Sequence, residues 1–328
     1  FLSVRRNDLT GNFEYVEKYL KEDESIKRDY WLWSSNIGEA GFGSQISLVW
    51  KMAKAKVILI DDYVPFLEMV QVSKKTKIIQ LWHACGAFKT FGFSRIGKSG
   101  GPKQSVTAHR CYDYAVVSSS AIAKYYAEGF GIAEKKVLPY GVPRTDVFFQ
   151  SEFKEKAKQK VEDETAWAGE KKIILYAPTF RGNVNEAAAP NALDLVKMAE
   201  ELQDRYILLI KHHPVVKERP AIPEAAKGFA YDVTEELEID ELLCTCDICI
   251  SDYSSLIFEY SLFEKPMIFF AYDLKDYDDW RGFYYDYEEL TPGPVVQTTE
   301  EVIECIKNTE VNFDPEEIRE FLNKFMSA

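Results

Sequence analysis

No G-x-G-x-x-G occurs in the 328 residues, which removes the glycine cradle of dinucleotide oxidoreductases, and a P-loop NTPase is not expected either. No stretch approaches the roughly 18 continuous apolar residues that a membrane-crossing helix needs. No basic segment followed by an apolar core, the mark of a secretory signal, opens the sequence. The chain therefore reads as intracellular. Cysteine is sparse: six residues at irregular spacing, in a chain large enough to build its core without disulfides, fit a reducing compartment. Histidine is rarer still, with four residues.

What is present is ample apolar material. Hydrophobic residues make up 46% and aromatics 14%, enough for two packed cores and far from the composition of a disordered chain. The length also suggests two domains. The net charge of −13 is unevenly placed. Residues 1–150 hold 21 Lys and Arg against 15 Asp and Glu; the remainder holds 19 against 38. An acidic total argues against nucleic acid as the main partner. The mildly basic first half is suited to an anionic polymer or membrane surface, or is an ordinary solvated face.

Short apolar runs alternate with helical patterns. Val57–Ile60, Ile78–Trp82, Tyr114–Ser118 and Val137–Pro139 read as buried strands, with helices over Ser44–Lys54 and Ser120–Glu128. The second half repeats the habit with strands Ile173–Tyr176, Ile207–Ile210, Ile248–Ser251 and Met267–Phe270, and helices over 191–204, 254–263 and 300–308. Continuous Val/Ile/Leu runs between helices predict parallel sheets covered on both faces, and two such blocks predict two Rossmann-like domains. The boundary falls near Thr145–Ser151, giving domains of 1–148 and 149–328. Glu152–Glu164 opens the second domain as a helix. Asp314-Pro315-Glu316-Glu317 is a helix start and predicts a terminal helix to about Phe325.

In such folds ligands bind where strands end and loops enter helices. Trp82-His83 ends one strand and is followed by Ala84-Cys85-Gly86; an imidazole there can take a proton from a hydroxyl at neutral pH. Lys211-His212-His213-Pro214 ends another and gathers cationic donors suited to phosphate. Ser251-Asp252-Tyr253-Ser254-Ser255 leads into a helix, where hydroxyls and open backbone N–H groups bind anions or simply cap the helix. Glu259, one turn on, can look back toward the same pocket. Arg144 and Arg181 are candidate phosphate clamps. Asp273–Trp280, before Arg281, reads as a loop that could serve as a lid. Cys244, Cys246 and Cys249 read as buried thiols rather than a zinc site, and His212 and His213 point to opposite sides, so no metal site is expected.

Together these residues resemble the CDP-glycerol glycerophosphotransferase family, the teichoic-acid primases and polymerases. The resemblance runs from about Val57 to Lys307. It is densest in Ser251–Val296, with Lys265-Pro266-Met267-Ile268-Phe269-Phe270, Arg281-Gly282-Phe283-Tyr284 and Pro292-Gly293-Pro294 beside the Ser251–Ser255 motif. It implies an α/β fold of two Rossmann-like domains facing a cleft, the glycosyltransferase-B architecture, with an acceptor domain first and a donor domain second. It implies a CDP-glycerol donor, release of CMP, and no cofactor. His83 would be the general base, and His213 would stabilise the phosphate. Trp82, Ala84 and Cys85 fall in the family's strand-end loop. Lys211 stands where the family has a basic residue. Arg144, Pro178, Thr179, Ser254, Ser255 and Glu259 would line the donor pocket, although Glu259 is commonly Asp in the family. Ala84-Cys85-Gly86 replaces the Gly-Thr-Pro of many glycerol-specific members and looks more like ribitol-phosphate relatives, which makes CDP-ribitol the alternative donor. A lipid-linked polymer acceptor would bring the protein to the inner face of the cell membrane as a peripheral protein. Family polymerases carry an amphipathic amino-terminal region for that surface, which the first 50 residues here are too polar to display.

The resulting expectation is a metal-independent transferase that moves glycerol phosphate onto a teichoic-acid-type polymer. Its rivals are a nucleotide-sugar glycosyltransferase on the same fold and a non-catalytic nucleotide-binding protein.

Overall fold

The structure is a computed structural model that describes residues 1–5, 7–34, 40–98, 101, 108–165, 169–182 and 186–328; of residues 108, 278–281 and 310 it describes the backbone alone. The chain forms two units, Phe1–Asp146 with Lys324–Ala328, and Val147–Asn323. The first unit closes at Asp146, and residues 324–328 pack with it although they follow the second unit in sequence.

The first unit holds six parallel strands: β1 (Leu2–Ser3), β2 (Trp31–Leu32), β3 (Val57–Ile60), β4 (Lys77–Gln80), β5 (Tyr114–Val116) and β6 (Val137–Leu138), in the order β2-β1-β3-β4-β5-β6. Helices α1 (Asn12–Leu20), α2 (Phe42–Lys54) and α3 (Ala123–Phe130) connect them. Ile58, Ile60, Ile78 and Ala115 are buried from the sheet, and Leu48, Met52 and Phe130 from the helices. Gly131 ends α3 at φ 65°, a left-handed cap that glycine adopts without penalty. The strand expected to reach Trp82 stops at Gln80, because Trp82 sits at φ 55°, outside strand geometry.

The second unit holds β7 (Lys172–Ala177), β8 (Tyr206–Ile210), β9 (Ala230–Asp232), β10 (Ile248–Ser251), β11 (Met267–Phe270) and β12 (Val295–Val296) in the order β12-β11-β10-β7-β8-β9, all parallel. Read from the other edge, this is the doubly wound order 3-2-1-4-5-6. Its helices are α4 (Ser151–Thr165), α5 (Leu195–Leu202), α6 (Ile239–Thr245), α7 (Leu256–Tyr260), α8 (Leu274–Arg281), α9 (Tyr287–Leu290), α10 (Thr299–Asn312) and α11 (Glu316–Phe325). Ile174, Tyr176, Leu208, Ile210, Ile248 and Ile250 pack with Met198, Leu202, Val302 and Ile306 into one core. The starts follow local chemistry. Asp194 accepts two backbone N–H bonds at α5, Thr298 and Glu301 form a reciprocal cap at α10, and Asp314 accepts from Glu316 N at 3.0 Å. Asp273–Trp280, expected as a loop, is mostly helical, because Leu274–Arg281 is α8.

Candidate active site

Each sheet reverses its winding once, and the candidate residues lie at the carboxyl ends of the strands, after β4 and β6 in the first sheet and after β7, β8 and β10 in the second. In the first sheet the reversal lies between β1 and β3. Ser3 Oγ donates to Asp61 Oδ2 at 3.1 Å, and Arg5 pairs with Asp62 at 3.0 Å. Burial pushes the Asp62 carboxyl above its ordinary range, and the Tyr63 N–H opposes that rise. His83 follows the neighbouring β4, and its Nδ1 lies 3.1 Å from the Asp61 carbonyl and 4.0 Å from Asp62 Oδ2. A carbonyl oxygen can only accept, so Nδ1 carries the proton. In the neutral ring Nε2 is then the basic nitrogen.

The Trp82 ring stacks on His83 with centroids 4.4 Å apart and meets Phe91 and Phe130 at 5.3 and 5.2 Å. Behind it, Tyr126 OH donates to the carbonyls of Ala84 and Gly86 at 3.2 and 3.0 Å. Gly86 N donates to Ser118 Oγ, which donates in turn to the Phe325 carbonyl at 2.7 Å. Ala84 is half-buried beside His83. Cys85 is buried at 1% exposure, so its thiol supports the loop from within and offers no surface to a ligand. Arg144 is half-buried, and its N–H donates to Asn12 Oδ1 at 2.9 Å.

In the second sheet the reversal lies between β7 and β10, and the two loops that leave those strands are joined. Asp252 Oδ1 accepts the N–H of Thr179 at 2.8 Å and of Tyr253 at 2.6 Å. Arg181 bridges Asp252 Oδ2 at 3.0 Å and both oxygens of Asp273 at 2.5 and 2.9 Å, and donates to the Thr179 carbonyl at 2.6 Å. Tyr253 OH completes the bridge to Asp273 at 2.8 Å. Burial opposes the guanidinium charge, but Asp273 and Asp252 outweigh it and raise the Arg181 pKa. The phosphate clamp expected of Arg181 is therefore corrected: two carboxylates and a carbonyl already occupy the guanidinium.

Thr179 is 8% exposed, and its hydroxyl is buried with no hydrogen-bond partner in the protein. A buried orphan hydroxyl is unfavourable unless something outside the fold satisfies it. Pro178 beside it is buried, Ser254 and Ser255 are half-buried, and Glu259 is buried within α7. Ser254 Oγ accepts from Leu256 N at 3.4 Å, and α7, whose cap position is Ser255, has no side-chain cap.

After β8, Lys211, His212 and His213 separate as alternation requires. Lys211 Nζ donates to the carbonyls of Thr234, at 2.6 Å, and of Leu237. Burial lowers its pKa, against the pull of Glu238. Two of its three N–H donors thus hold the 234–237 loop. His212 is buried, and burial lowers its pKa. His213 is exposed, its ring packed on Phe180 at 5.0 Å, and its Nδ1 accepts Val215 N–H at 3.3 Å. Its ring proton then sits on Nε2, a donor suited to an anionic oxygen. A cavity of about 880 Å³ lies along Glu186–Ala189, Val215 and Lys217–Pro220, at the same end of the sheet.

Several motifs resolve differently from their spelling. Gly92-Phe93-Ser94-Arg95-Ile96-Gly97-Lys98-Ser99 has P-loop spacing, which the sequence reading missed. It follows no strand, and Gly92–Arg95 is a 3₁₀ turn; Ser99 lies outside the described residues. Asp276-Tyr277-Asp278 has Asp-x-Asp spacing but lies within α8. Cys246 and Cys249 are buried free thiols, with Cys246 pushed up to about 12 by burial. Among the described residues no group of three or more His, Cys, Asp and Glu is arranged to hold a metal ion.

Two doubly wound parallel units with chemistry at their strand ends place the chain in the glycosyltransferase-B fold class. The solved structure of the wall teichoic acid polymerase TagF superposes with a TM-score of 0.78 at 22% identity, covering 100% of this chain and 84% of that one. The model of the CDP-glycerol:poly(glycerophosphate) glycerophosphotransferase family matches residues 1–328, and the chain belongs to that family. It is 44% identical over 328 residues to the teichoic acid poly(ribitol-phosphate) polymerase of Bacillus spizizenii, covering 99% of this chain and 53% of that protein. It is 40% identical over 330 residues to the teichoic acid ribitol-phosphate polymerase TarL of Staphylococcus aureus, covering 99% and 58%. The chain thus spans little more than half the length of these relatives.

Proposed function

We propose that the chain moves an alditol phosphate from a CDP-alditol to a hydroxyl of a teichoic-acid-type polymer and releases CMP. The observation that carries this reading is the His83 ring, whose Nδ1–H is committed to the Asp61 carbonyl so that Nε2 can accept a proton. In the proposed step Nε2 takes the proton of the acceptor hydroxyl. The oxygen attacks the phosphorus that carries the alditol, and the bond from that phosphorus to the CMP oxygen breaks. The Nε2–H of His213 and the Arg144 guanidinium stabilise the charge on the phosphates. Thr179, Ser254, Ser255 and Glu259 hold the donor, with the buried Thr179 hydroxyl gaining its missing partner from it.

Glycerol phosphate is the unit named in the family's description. Ribitol phosphate is the second reading, favoured by the activities named for the 44% and 40% identical relatives and by Ala84-Cys85-Gly86. The test is to incubate the protein with CDP-glycerol or CDP-ribitol and a lipid-linked acceptor analogue and to measure CMP. CMP from either donor supports the transfer, and the faster donor selects the alditol. Release of a nucleoside diphosphate from a nucleotide sugar instead would establish a glycosyltransferase. Tight donor binding without turnover on any acceptor would establish a binding protein.

A lipid-linked acceptor would bring the reaction to the inner membrane face, and α2 supports a peripheral attachment there. Phe42, Ile46, Val49 and Trp50 recur at helical spacing and are 78%, 53%, 41% and 58% exposed. Lys51 and Lys54 close the helix, which contains no acidic residue. An outward apolar face with lysines suits an anionic lipid surface. The sequence reading missed it because the face appears only once the helix turns Leu48 and Met52 inward. Among the described residues no helix is long and apolar enough to cross a membrane.

A further inference from the structure

The turn that carries His83 is held by a side chain 70 residues away in sequence. Trp82 lies at φ 55°, a region that bulky residues occupy only under constraint. Both its backbone polar groups are engaged: its N–H donates to Gln80 Oε1 at 2.8 Å, and its carbonyl accepts from Asn12 Nδ2 at 2.9 Å. The same amide nitrogen reaches the Leu81 carbonyl at 3.3 Å, and Asn12 Oδ1 accepts the Arg144 N–H at 2.9 Å. Asn12 is the first residue of α1 and is 4% exposed. One buried amide therefore directs its donor edge to the His83 turn and its acceptor edge to the Arg144 loop. Aspartate in its place would set oxygen against two carbonyls, and an apolar residue would strand all three backbone groups.

We propose that Asn12 is a positioning residue that sets His83 and Arg144 in register for the transfer step. It acts through the backbone of both loops and touches no substrate. The kinetic part of this inference rests on the alditol-phosphate transfer proposed above.

The two edges of the amide can be tested separately in the full chain. Asn12→Asp keeps the acceptor for Arg144 and loses the donor to Trp82. Asn12→Ala loses both. Asn12→Asp is expected to lower kcat about 10- to 100-fold while leaving the donor KM within about twofold. Asn12→Ala is expected to lower kcat comparably and to raise the donor KM about tenfold. Wild-type kinetics, or equal changes in both variants with no kcat-against-KM split, would overturn the proposal. Nitrogen NMR of the His83 ring supplies a readout that does not depend on turnover. The parent is expected to show the Nδ1–H tautomer that the Asp61 carbonyl favours; both variants should lose it, and its retention overturns the proposal even if the parent transfers nothing. If Asn12→Asp gives no cooperative melt, Asn12→Ser, too short to reach the Trp82 carbonyl, is expected to lose the tautomer in the same way.

Discussion

His83 and His213 carry their ring protons on opposite nitrogens. The Asp61 carbonyl holds the proton of His83 on Nδ1, whereas the Val215 amide, by donating to Nδ1 of His213, leaves that proton on Nε2. One ring is set to accept a proton and the other to donate a hydrogen bond. His83→Ala should lower kcat at least about 100-fold with the fold intact. His213→Ala should weaken turnover while His213→Gln, which keeps an N–H donor, recovers part of it. CMP release with circular dichroism checks both, and unchanged turnover in His83→Ala rejects the base assignment.

Thr179 separates binding from stability. Its hydroxyl is buried without a partner, so removing it takes nothing from the unliganded fold. Thr179→Val should leave the unfolding free energy within about 0.5 kcal/mol of the parent and weaken CDP-alditol binding about tenfold or more. Calorimetric titration beside a urea melt measures both. Unchanged affinity would remove Thr179 from the donor pocket.

Arg181 should behave in the opposite way. Truncating it leaves the buried Asp252 and the half-buried Asp273 without their shared cation, a loss of about 2 kcal/mol, between the values for exposed and fully buried pairs. Arg181→Ala should lower the denaturant midpoint accordingly, and Arg181→Lys should recover only part of the loss, because an ammonium cannot span both carboxylates. A change below about 0.5 kcal/mol would show that the bridge is not structural.

The α2 face is checked with vesicles. Phe42→Ser with Trp50→Ser should abolish co-sedimentation with phosphatidylglycerol vesicles and leave turnover on a short soluble acceptor unchanged. Retained sedimentation would place the membrane contact elsewhere.

His109 predicts part of the acid response. Burial lowers its pKa from 6.5 to about 4, with Glu68 opposing, and its Nδ1 lies 2.9 Å from Tyr112 OH. The unfolded chain binds a proton at this residue below about 6.5, and the folded chain binds it only near 4. Stability therefore falls as pH drops through that window. His109→Gln should flatten the melting-temperature profile between pH 6.5 and 4 relative to the parent. Parallel profiles would contradict the assignment.

The strands that carry chemistry were legible because each is a continuous apolar run ended by polar residues; Val57–Ile60, Ile248–Ser251 and Met267–Phe270 appear with the expected bounds. The strands missed were short or polar at the edge, as Leu2–Ser3, Trp31–Leu32 and Val295–Val296 show. Single residues were harder to judge. Lys211 and Arg181 are the cations that a sequence reader assigns to phosphate, yet the fold satisfies them with its own carbonyls and carboxylates. Asn12 was invisible for the converse reason. Nothing local to Gly11-Asn12-Phe13 signals that its amide will meet Trp82 and Arg144, because that meeting is made by sheet topology.

Ser118 receives the Gly86 N–H and passes its own hydrogen to the Phe325 carbonyl, while Ala328 N returns to the Ser118 carbonyl. Residues 325–328 thus brace the His83 loop from behind through one hydroxyl. Ser118→Ala, which removes that hydroxyl, would loosen the histidine's support without touching the histidine itself. Preparations of that variant should lose specific activity before they lose overall stability.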